Sequence, residues 1–97
     1  MRFYNTYSNY VPAATTKTLH TGPGNLHVIH ASASVGAWVT IYDNTAGSGN
    51  ILLSFYLTAL GYPYFVAYPP QTPLKFSTGL TVVTAAGTVV HLITSAA

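Results

Sequence analysis

The chain has 97 residues, enough for one domain, and it contains no cysteine, which excludes a disulfide framework and a cysteine-ligated zinc site. Only 4% of the residues are charged, against about 25% in ordinary soluble domains. The three basic residues behind the net charge of +2 are scattered, so they form no patch for nucleic acid. The apolar fraction of 49% excludes disorder, and a surface with so few charges indicates a protein that works inside an assembly.

The N-terminal segment, residues 1–14, is rich in aromatic side chains. These are Phe3, Tyr4, Tyr7 and Tyr10. The segment ends near Pro12, which resists both helix and central strand. We predict an extended N-terminal arm over 1–14 that lays its rings on a neighbouring protein, followed by a β-sandwich domain over 15–97; a frayed tail is the alternative. The segment has no apolar run suited to a signal peptide, which indicates cytoplasmic synthesis.

Short strand patterns separated by turn signals follow along the rest of the chain. They cover residues 15–20, 25–31, 37–42, 51–59, 62–68, 74–76, 80–84 and 88–94. β-Branched and aromatic residues dominate these stretches, Gly, Pro, Asn and Asp dominate the connections, and no stretch favours a helix. The predicted fold class is all-β: an antiparallel β-sandwich, jelly-roll-like, with seven or eight strands.

The alternation of side chains predicts which residues face the core. Val39 and Ile41 are expected to point inward together. Leu26 and Val28 are expected on one face of their strand and Ile29 on the other.

The stretch 62–68 is predicted to be an edge strand. The proline-rich residues 69–73 that follow cannot join a central sheet, so they are expected to form a crossing loop before the chain re-enters the sheet at 74–76.

The end of the chain favours a β-hairpin of 80–84 and 88–94, because Gly87 offers the positive φ that a short loop needs. A turn rich in Gly and Pro lies between the first two predicted strands, and it likewise predicts that these strands pair as the start of a meander. Val83 and Val89 make the outer faces of the hairpin partly apolar. We expect a second sheet or a neighbouring subunit to cover them.

The polar residues offer little chemistry. Asp43 is the only carboxylate side chain, which excludes paired-carboxylate enzymes and acidic metal clusters, and it is expected to cap its own turn. His27 and His30 are three residues apart and therefore face opposite sides of a strand, which leaves only a lone His on a symmetry axis as a metal ligand. We predict no enzyme, no cofactor and no metal site within one subunit. Residues 76–97 are uncharged, but polar residues interrupt them, so no membrane span is predicted.

The aromatic residues of the strands are the remaining candidates for binding. They are Trp38, Tyr42, Tyr56, Tyr62, Tyr64 and Tyr68. Such rings either stack on sugars, as in a carbohydrate-binding β-sandwich, or pack in cores and interfaces, and the scarcity of polar side chains favours packing. The predicted partner interface comprises Phe3, Tyr4, Tyr7, Tyr10, Trp38, Tyr62 and Tyr64.

Three segments carry a resemblance to a known class of proteins. They are Thr21-Gly-Pro-Gly-Asn-Leu-His-Val-Ile, Val39-Thr-Ile-Tyr-Asp-Asn-Thr-Ala-Gly-Ser-Gly and Leu74-Lys-Phe-Ser-Thr-Gly-Leu-Thr-Val-Val-Thr. Over residues 15–94 the chain resembles the small β-sandwich virion proteins of tailed bacteriophages. The resemblance implies a structural homo-oligomer, commonly a trimer, that binds the major capsid protein lattice as a capsid decoration (cement) protein. Its alternative is a tail or head-fibre module of the virion. In either location, the protein is expected to be assembled into the virion in the host cytoplasm.

Overall fold

The computed structural model describes residues 6–58, 64–69 and 71–96, and these ranges contain nine β-strands and no helix. The strands are β1 (Thr6–Val11), β2 (Thr16–Thr21), β3 (Gly24–Ala33), β4 (Ala37–Tyr42), β5 (Ile51–Leu57), β6 (Tyr64–Ala67), β7 (Leu74–Phe76), β8 (Gly79–Val83) and β9 (Thr88–Ala96). The all-β prediction is confirmed, and β2 to β9 overlap the stretches that the sequence indicated. Within the described ranges there is no helix suited to crossing a membrane.

The strands form two antiparallel sheets. The first sheet has the order β1-β9-β3-β6, with β7 also paired to β3, and the second sheet has the order β2-β8-β4-β5. β9 occupies one edge of β3. The other edge of β3 is shared by β6 and β7, which act as one interrupted strand. The pairs are then first strand with last, second with next to last, and so on inward to β4 with β5. This nested order is a jelly roll, as predicted.

β8 and β9 do not form the predicted hairpin. β8 pairs with β2 and β4 in the second sheet, whereas β9 pairs with β1 and β3 in the first. The link between them crosses between the sheets beside the link from β1 to β2. Two backbone hydrogen bonds join these links, from the Ala14 N–H to the Ala85 carbonyl at 3.0 Å and from the Thr84 N–H to the Thr15 carbonyl at 2.8 Å. The predicted meander is wrong for the same reason, since β2 and β3 also lie in different sheets.

β1 extends the sandwich toward the N-terminus. It pairs with β9 along its length, from Thr6 opposite Ser95 to Val11 opposite Val90. Val11 is fully buried, and Pro12, which has no N–H to donate, follows the strand. The sandwich therefore includes residues that the sequence assigned to an arm over 1–14. The first five residues of that arm lie outside the described ranges.

A β-bulge in β3 changes which side chains reach the core. The register against β9 shifts between Leu26 and Val28, so His27 is the extra residue. Leu26 and Ile29 are consequently both fully buried, while Val28 is half-buried. The predicted grouping of Leu26 with Val28 is wrong because simple alternation takes no account of the inserted residue.

The core lies between the sheets and consists of aliphatic side chains with two phenylalanines. Its members are Val11, Leu26, Ile29, Ala31, Ala33, Val39, Ile41, Phe55, Leu57, Phe76, Leu80, Val82, Val90 and Leu92. The inward placement of Val39 and Ile41 is confirmed.

The edge strand formed by β6 and β7 is interrupted, as its prolines require. Tyr68 still donates its N–H to the His27 carbonyl at 2.8 Å, and the chain then turns, with the Thr72 N–H bonded to the Pro69 carbonyl at 2.9 Å. The predicted edge strand and the return at Leu74 are confirmed. The predicted crossing is wrong, because the loop returns to the same edge of β3.

Candidate interaction surfaces

Asp43 organises the turn between β7 and β8. Its carboxylate accepts the N–H groups of Ser77 at 3.0 Å, Thr78 at 2.8 Å and Gly79 at 3.4 Å, and the Ser77 hydroxyl at 3.2 Å. Partial burial raises the pKa of Asp43, but the hydrogen bonds from Thr78, Ser77 and Gly79 outweigh it. The pKa of Asp43 therefore lies below its ordinary value of 3.8. The prediction that Asp43 caps its own loop is wrong, since its partners lie on a distant turn.

The loop of residues 43–50 folds back over the outer face of the second sheet. Asn44 shapes the loop locally, because its side-chain oxygen accepts the Thr45 N–H at 2.8 Å. Thr81 of β8 donates its hydroxyl to the Asn44 carbonyl at 2.8 Å and is fully buried, although it points away from the core. The loop thus seals the middle of this face.

The same loop covers Val83. A Cβ built on Gly47 would lie 2.9 Å from Val83 Cγ2 and 3.0 Å from Thr16 Cγ2, so the loop backbone contacts both side chains. The sequence predicted that a second sheet or a neighbouring subunit covers Val83. In the structure the loop of residues 43–50 of the same chain covers it. Val89, by contrast, remains 41% exposed.

An exposed aromatic pair lies on the second sheet. Trp38 of β4 and Tyr56 of β5 are directly opposite each other and pack edge to face, with ring centroids 5.4 Å apart. Trp38 is 60% exposed and Tyr56 51%. Trp38, which the sequence assigned to a partner interface, is therefore accessible to one.

A row of four rings crosses the outer face of the first sheet. Tyr10 of β1 lies opposite His91 of β9, His91 lies opposite His30 of β3, and His30 lies opposite Phe65 of β6. Ring centroids are 5.0 Å apart for Tyr10 and His91, and 6.1 Å apart for His30 and Phe65. All four side chains are exposed, Tyr10 by 47% and Phe65 by 63%. We call these four residues the ring row.

The surroundings of the ring row are apolar and nearly uncharged. Val89 is exposed beside it, and Val28 and Ile93, which lie opposite each other, are half-buried. In the five described strands of the first sheet the one ionised side chain is Lys75, opposite Asn25 toward one end of the face. A second cation comes from β2, because the Lys17 ammonium donates to the Tyr10 carbonyl at 3.0 Å, at the β1 end of the row. Contacts with this face must therefore rest on apolar surface far more than on ion pairs.

The structure separates the residues predicted to form one interface. Tyr10 belongs to the ring row, while Tyr7, three residues earlier on the same strand, is on the opposite face and 52% exposed. Tyr64 stacks on the core residue Phe55, with centroids 4.0 Å apart and planes 12° apart, so it packs against the interior. Phe3, Tyr4 and Tyr62 lie outside the described residues.

Tyr68 belongs with Tyr64 at the margin of the core rather than on either exposed face. Both side chains pack partly buried against the core. Burial raises the pKa of Tyr68, and the neighbouring Tyr64 adds to the effect.

Sequence reasoning missed His30, His91 and Phe65 as members of one surface. The local signal for each was only an outward position in a strand. What unites them is the register of three strands that are distant in sequence, and nothing local specifies that register.

The remaining histidines have polar partners. His20 Nε2 lies 3.1 Å from the Pro23 carbonyl oxygen, and His27 Nε2 lies 2.7 Å from Ser95 Oγ. Among the described residues no group of three or more His, Cys, Asp or Glu side chains is placed to hold a metal ion.

No protein-family model matches the chain, and no curated protein matches it either.

Proposed function

We propose that the chain is a structural protein of a phage virion, a capsid decoration (cement) protein that binds and stabilises the major capsid protein lattice. One observation carries the proposal: the ring row spans the outer face of a jelly-roll sandwich and is flanked by apolar residues with hardly any charge. Such a face has the character of a docking surface, since aromatic side chains dominate stable interfaces and charges are depleted there.

The dimensions of the molecule suit this role. The chain measures 40 × 28 × 17 Å, so a broad face can supply the about 800 Å² that each partner contributes to a standard interface. Burying the exposed part of one ring, roughly 100 Å², stabilises a contact by about 2–3 kcal/mol, whereas an exposed ion pair contributes about 0–1 kcal/mol. Attachment through the ring row is accordingly an apolar mechanism.

A second exposed aromatic surface supports a role between several neighbours. Trp38 and Tyr56 lie on the outer face of the second sheet, opposite the face that carries the ring row. A subunit with a docking surface on each face can contact the capsid lattice with one and neighbouring copies with the other, as a homo-oligomeric cement protein requires.

The test is occupancy of the purified protein on bare capsids across a salt series. We expect the protein to stay bound near 1 M salt, where the Debye length falls to about 3 Å. Tyr10→Ala and Phe65→Ala should each weaken binding roughly tenfold or more. Tyr7→Ala, on the other face of the same strand, and Lys75→Ala, at the end of the same face, are the matched controls and should bind like the unmodified protein. Release at moderate salt, with both ring variants still bound, would overturn the mechanism.

A tail or head-fibre module is the alternative location on the virion, and the same surfaces suit it. Imaging virions that carry a labelled copy of the protein separates the two, because label on the capsid shell supports decoration and label on the tail or fibre excludes it.

A carbohydrate-binding domain is a second candidate from a different class of function. The ring row favours it, because exposed rings on a flat sheet face are surfaces on which sugar rings stack. Binding to a glycan array that is lost in Phe65→Ala, together with no affinity for capsids, would establish this function in place of decoration.

A further inference from the structure

The two central members of the ring row are both histidines. His30 and His91 lie directly opposite each other in the β3–β9 ladder, and both side chains are exposed on the outer face of the first sheet. Directly opposed residues of an antiparallel pair have Cβ atoms about 4.5–5.5 Å apart. We propose that His30 and His91 form a bidentate site for a late divalent transition metal ion, Cu²⁺ most tightly, with water at the remaining coordination positions.

The spacing suits two imidazole ligands on one ion. Metal–nitrogen bonds of about 2.0–2.1 Å at a right angle place the two nitrogens about 3 Å apart, and opposed side chains reach this by leaning toward each other. Neutral imidazole is a preferred ligand of Cu²⁺, Ni²⁺ and Zn²⁺, and the Irving–Williams order places Cu²⁺ first.

The backbone under the pair is held on both sides. β9 lies between β1 and β3, and β3 lies between β9 and the interrupted strand of β6 and β7. The two Cβ atoms are therefore fixed by the ladder before any ion arrives, so binding requires only side-chain rotation.

The neighbouring rings limit where the imidazoles can go. Tyr10 is tilted against His91 at 5.0 Å, and Phe65 meets His30 edge to face at 6.1 Å. Each imidazole has an aromatic side chain on its outer flank, and the space between the two strands is the direction in which they can meet. No ionised side chain belongs to the row: the Lys17 ammonium binds the Tyr10 carbonyl at 3.0 Å, and Lys75 lies opposite Asn25, five residues along β3 from His30.

His20 and His27 do not offer such a site. His20 is beside the Pro23 carbonyl and the Phe76 ring, and His27 is beside the Ser95 hydroxyl. In the described ladders neither has a second histidine as its cross-strand partner. The pair His30 and His91 is thus distinct among the described strands.

The test is a Cu²⁺ titration of the full chain, followed by calorimetry and by the nitrogen hyperfine pattern in electron paramagnetic resonance. We expect one tight ion per chain with two imidazole nitrogens. His30→Ala and His91→Ala should each lower the affinity at least tenfold and leave at most one imidazole nitrogen in the spectrum. His20→Ala is the matched control and should keep both properties, and any ion at the N-terminal amine is common to all variants.

A thermal measurement adds an independent readout. Because the ion joins β3 to β9 only in the folded protein, Cu²⁺ should raise the Tm of the unmodified protein and of His20→Ala but not that of His30→Ala. His30→Gln serves as a second variant that keeps a polar side chain at the position. Equal affinity in His30→Ala and the unmodified protein, or a spectrum with a single imidazole nitrogen in the unmodified protein, would overturn the proposal.

Discussion

Asp43 shows how one side chain connects distant parts of the fold. It leaves the end of β4 in the second sheet and binds the three consecutive N–H groups that begin at Ser77, in the turn by which the chain passes from β7 in the first sheet to β8 in the second. No other carboxylate side chain occurs in the sequence, so no second one can substitute for it.

We expect Asp43→Asn to lower the free energy of unfolding by about 1 kcal/mol at neutral pH, because a neutral amide accepts these N–H groups less strongly than a carboxylate. The folded-state pKa of Asp43 is lowered, so its contribution is complete above the ordinary value of 3.8 and is lost as the pH falls through the folded-state value. Urea unfolding at a series of pH values checks this. The difference in the free energy of unfolding between the unmodified protein and Asp43→Asn should become smaller in acid. A difference that stays constant down to pH 2 would contradict the stabilising role assigned to the Asp43 carboxylate.

At the scale of the elements, β1 is the strand whose role differs most from expectation. The aromatic residues of 1–14 and the proline after β1 suggested an arm, yet β1 completes one edge of the first sheet and buries Val11. An edge strand of this kind has one row of backbone groups in the ladder and one row free, so its sequence carries less hydrophobic signal than a central strand.

Val11→Ala should therefore lower the free energy of unfolding by about 2 kcal/mol, as the loss of a core side chain does. Tyr7→Ala, on the same strand but 52% exposed, should cost less than about 1 kcal/mol. Denaturant unfolding of the two variants measures both. Equal, small effects would place β1 outside the cooperative unit after all.

The sequence predicted where most strands lie, but it did not predict which strands pair with each other. Alternation placed Val39 and Ile41 in the core because β4 has no inserted residue; the register shift against β5 between Ile41 and Tyr42 is taken up by an extra residue in β5. It failed for Ile29 because the bulge at His27 changes the phase of β3, and no residue there marks the bulge.

The prediction of a hairpin at Gly87 failed for a different physical reason. A glycine with positive φ serves a tight hairpin and a crossing between sheets equally well, so the local chemistry does not choose between them. The choice is made by burial of β8 and β9 in separate sheets, which depends on strands that are far away in sequence.

The candidate site was predictable only in part. Tyr10 and Trp38 were expected to be partner contacts because exposed rings are frequent in interfaces, and both are exposed. The juxtaposition of His30 and His91 depends on a pairing across 61 residues, which periodicity within one strand cannot reveal.

At the scale of the whole molecule, the two exposed aromatic surfaces and the low charge are parts of one property. With 4% charged residues the protein has little electrostatic repulsion to keep copies apart. We expect the purified protein to form a homo-oligomer, a trimer, because closed symmetry covers such surfaces in every copy at once. Sedimentation or native mass measurement decides this, and a stable monomer at high micromolar concentration would contradict it. Trp38→Ala tests whether the second-sheet surface holds the copies together, with Tyr7→Ala as its control.

The nested pairing of the jelly roll also determines when each strand of the newly made chain can pair. Thr6 pairs with Ser95 and Thr16 pairs with Val83, so β1 and β2 leave the ribosome first but find their partners only after β9 and β8 have been made. At roughly 5–20 residues per second, β1 waits about 4–17 s for β9. β1 and β2, with the sequences TYSNYV and TKTLHT, are rich in hydroxyl and amide side chains. That composition lowers the tendency of an unpaired strand to aggregate. The polar side chains of β1, which lies in the segment predicted to be an arm, thus suit a strand that must remain soluble until its partner has been made.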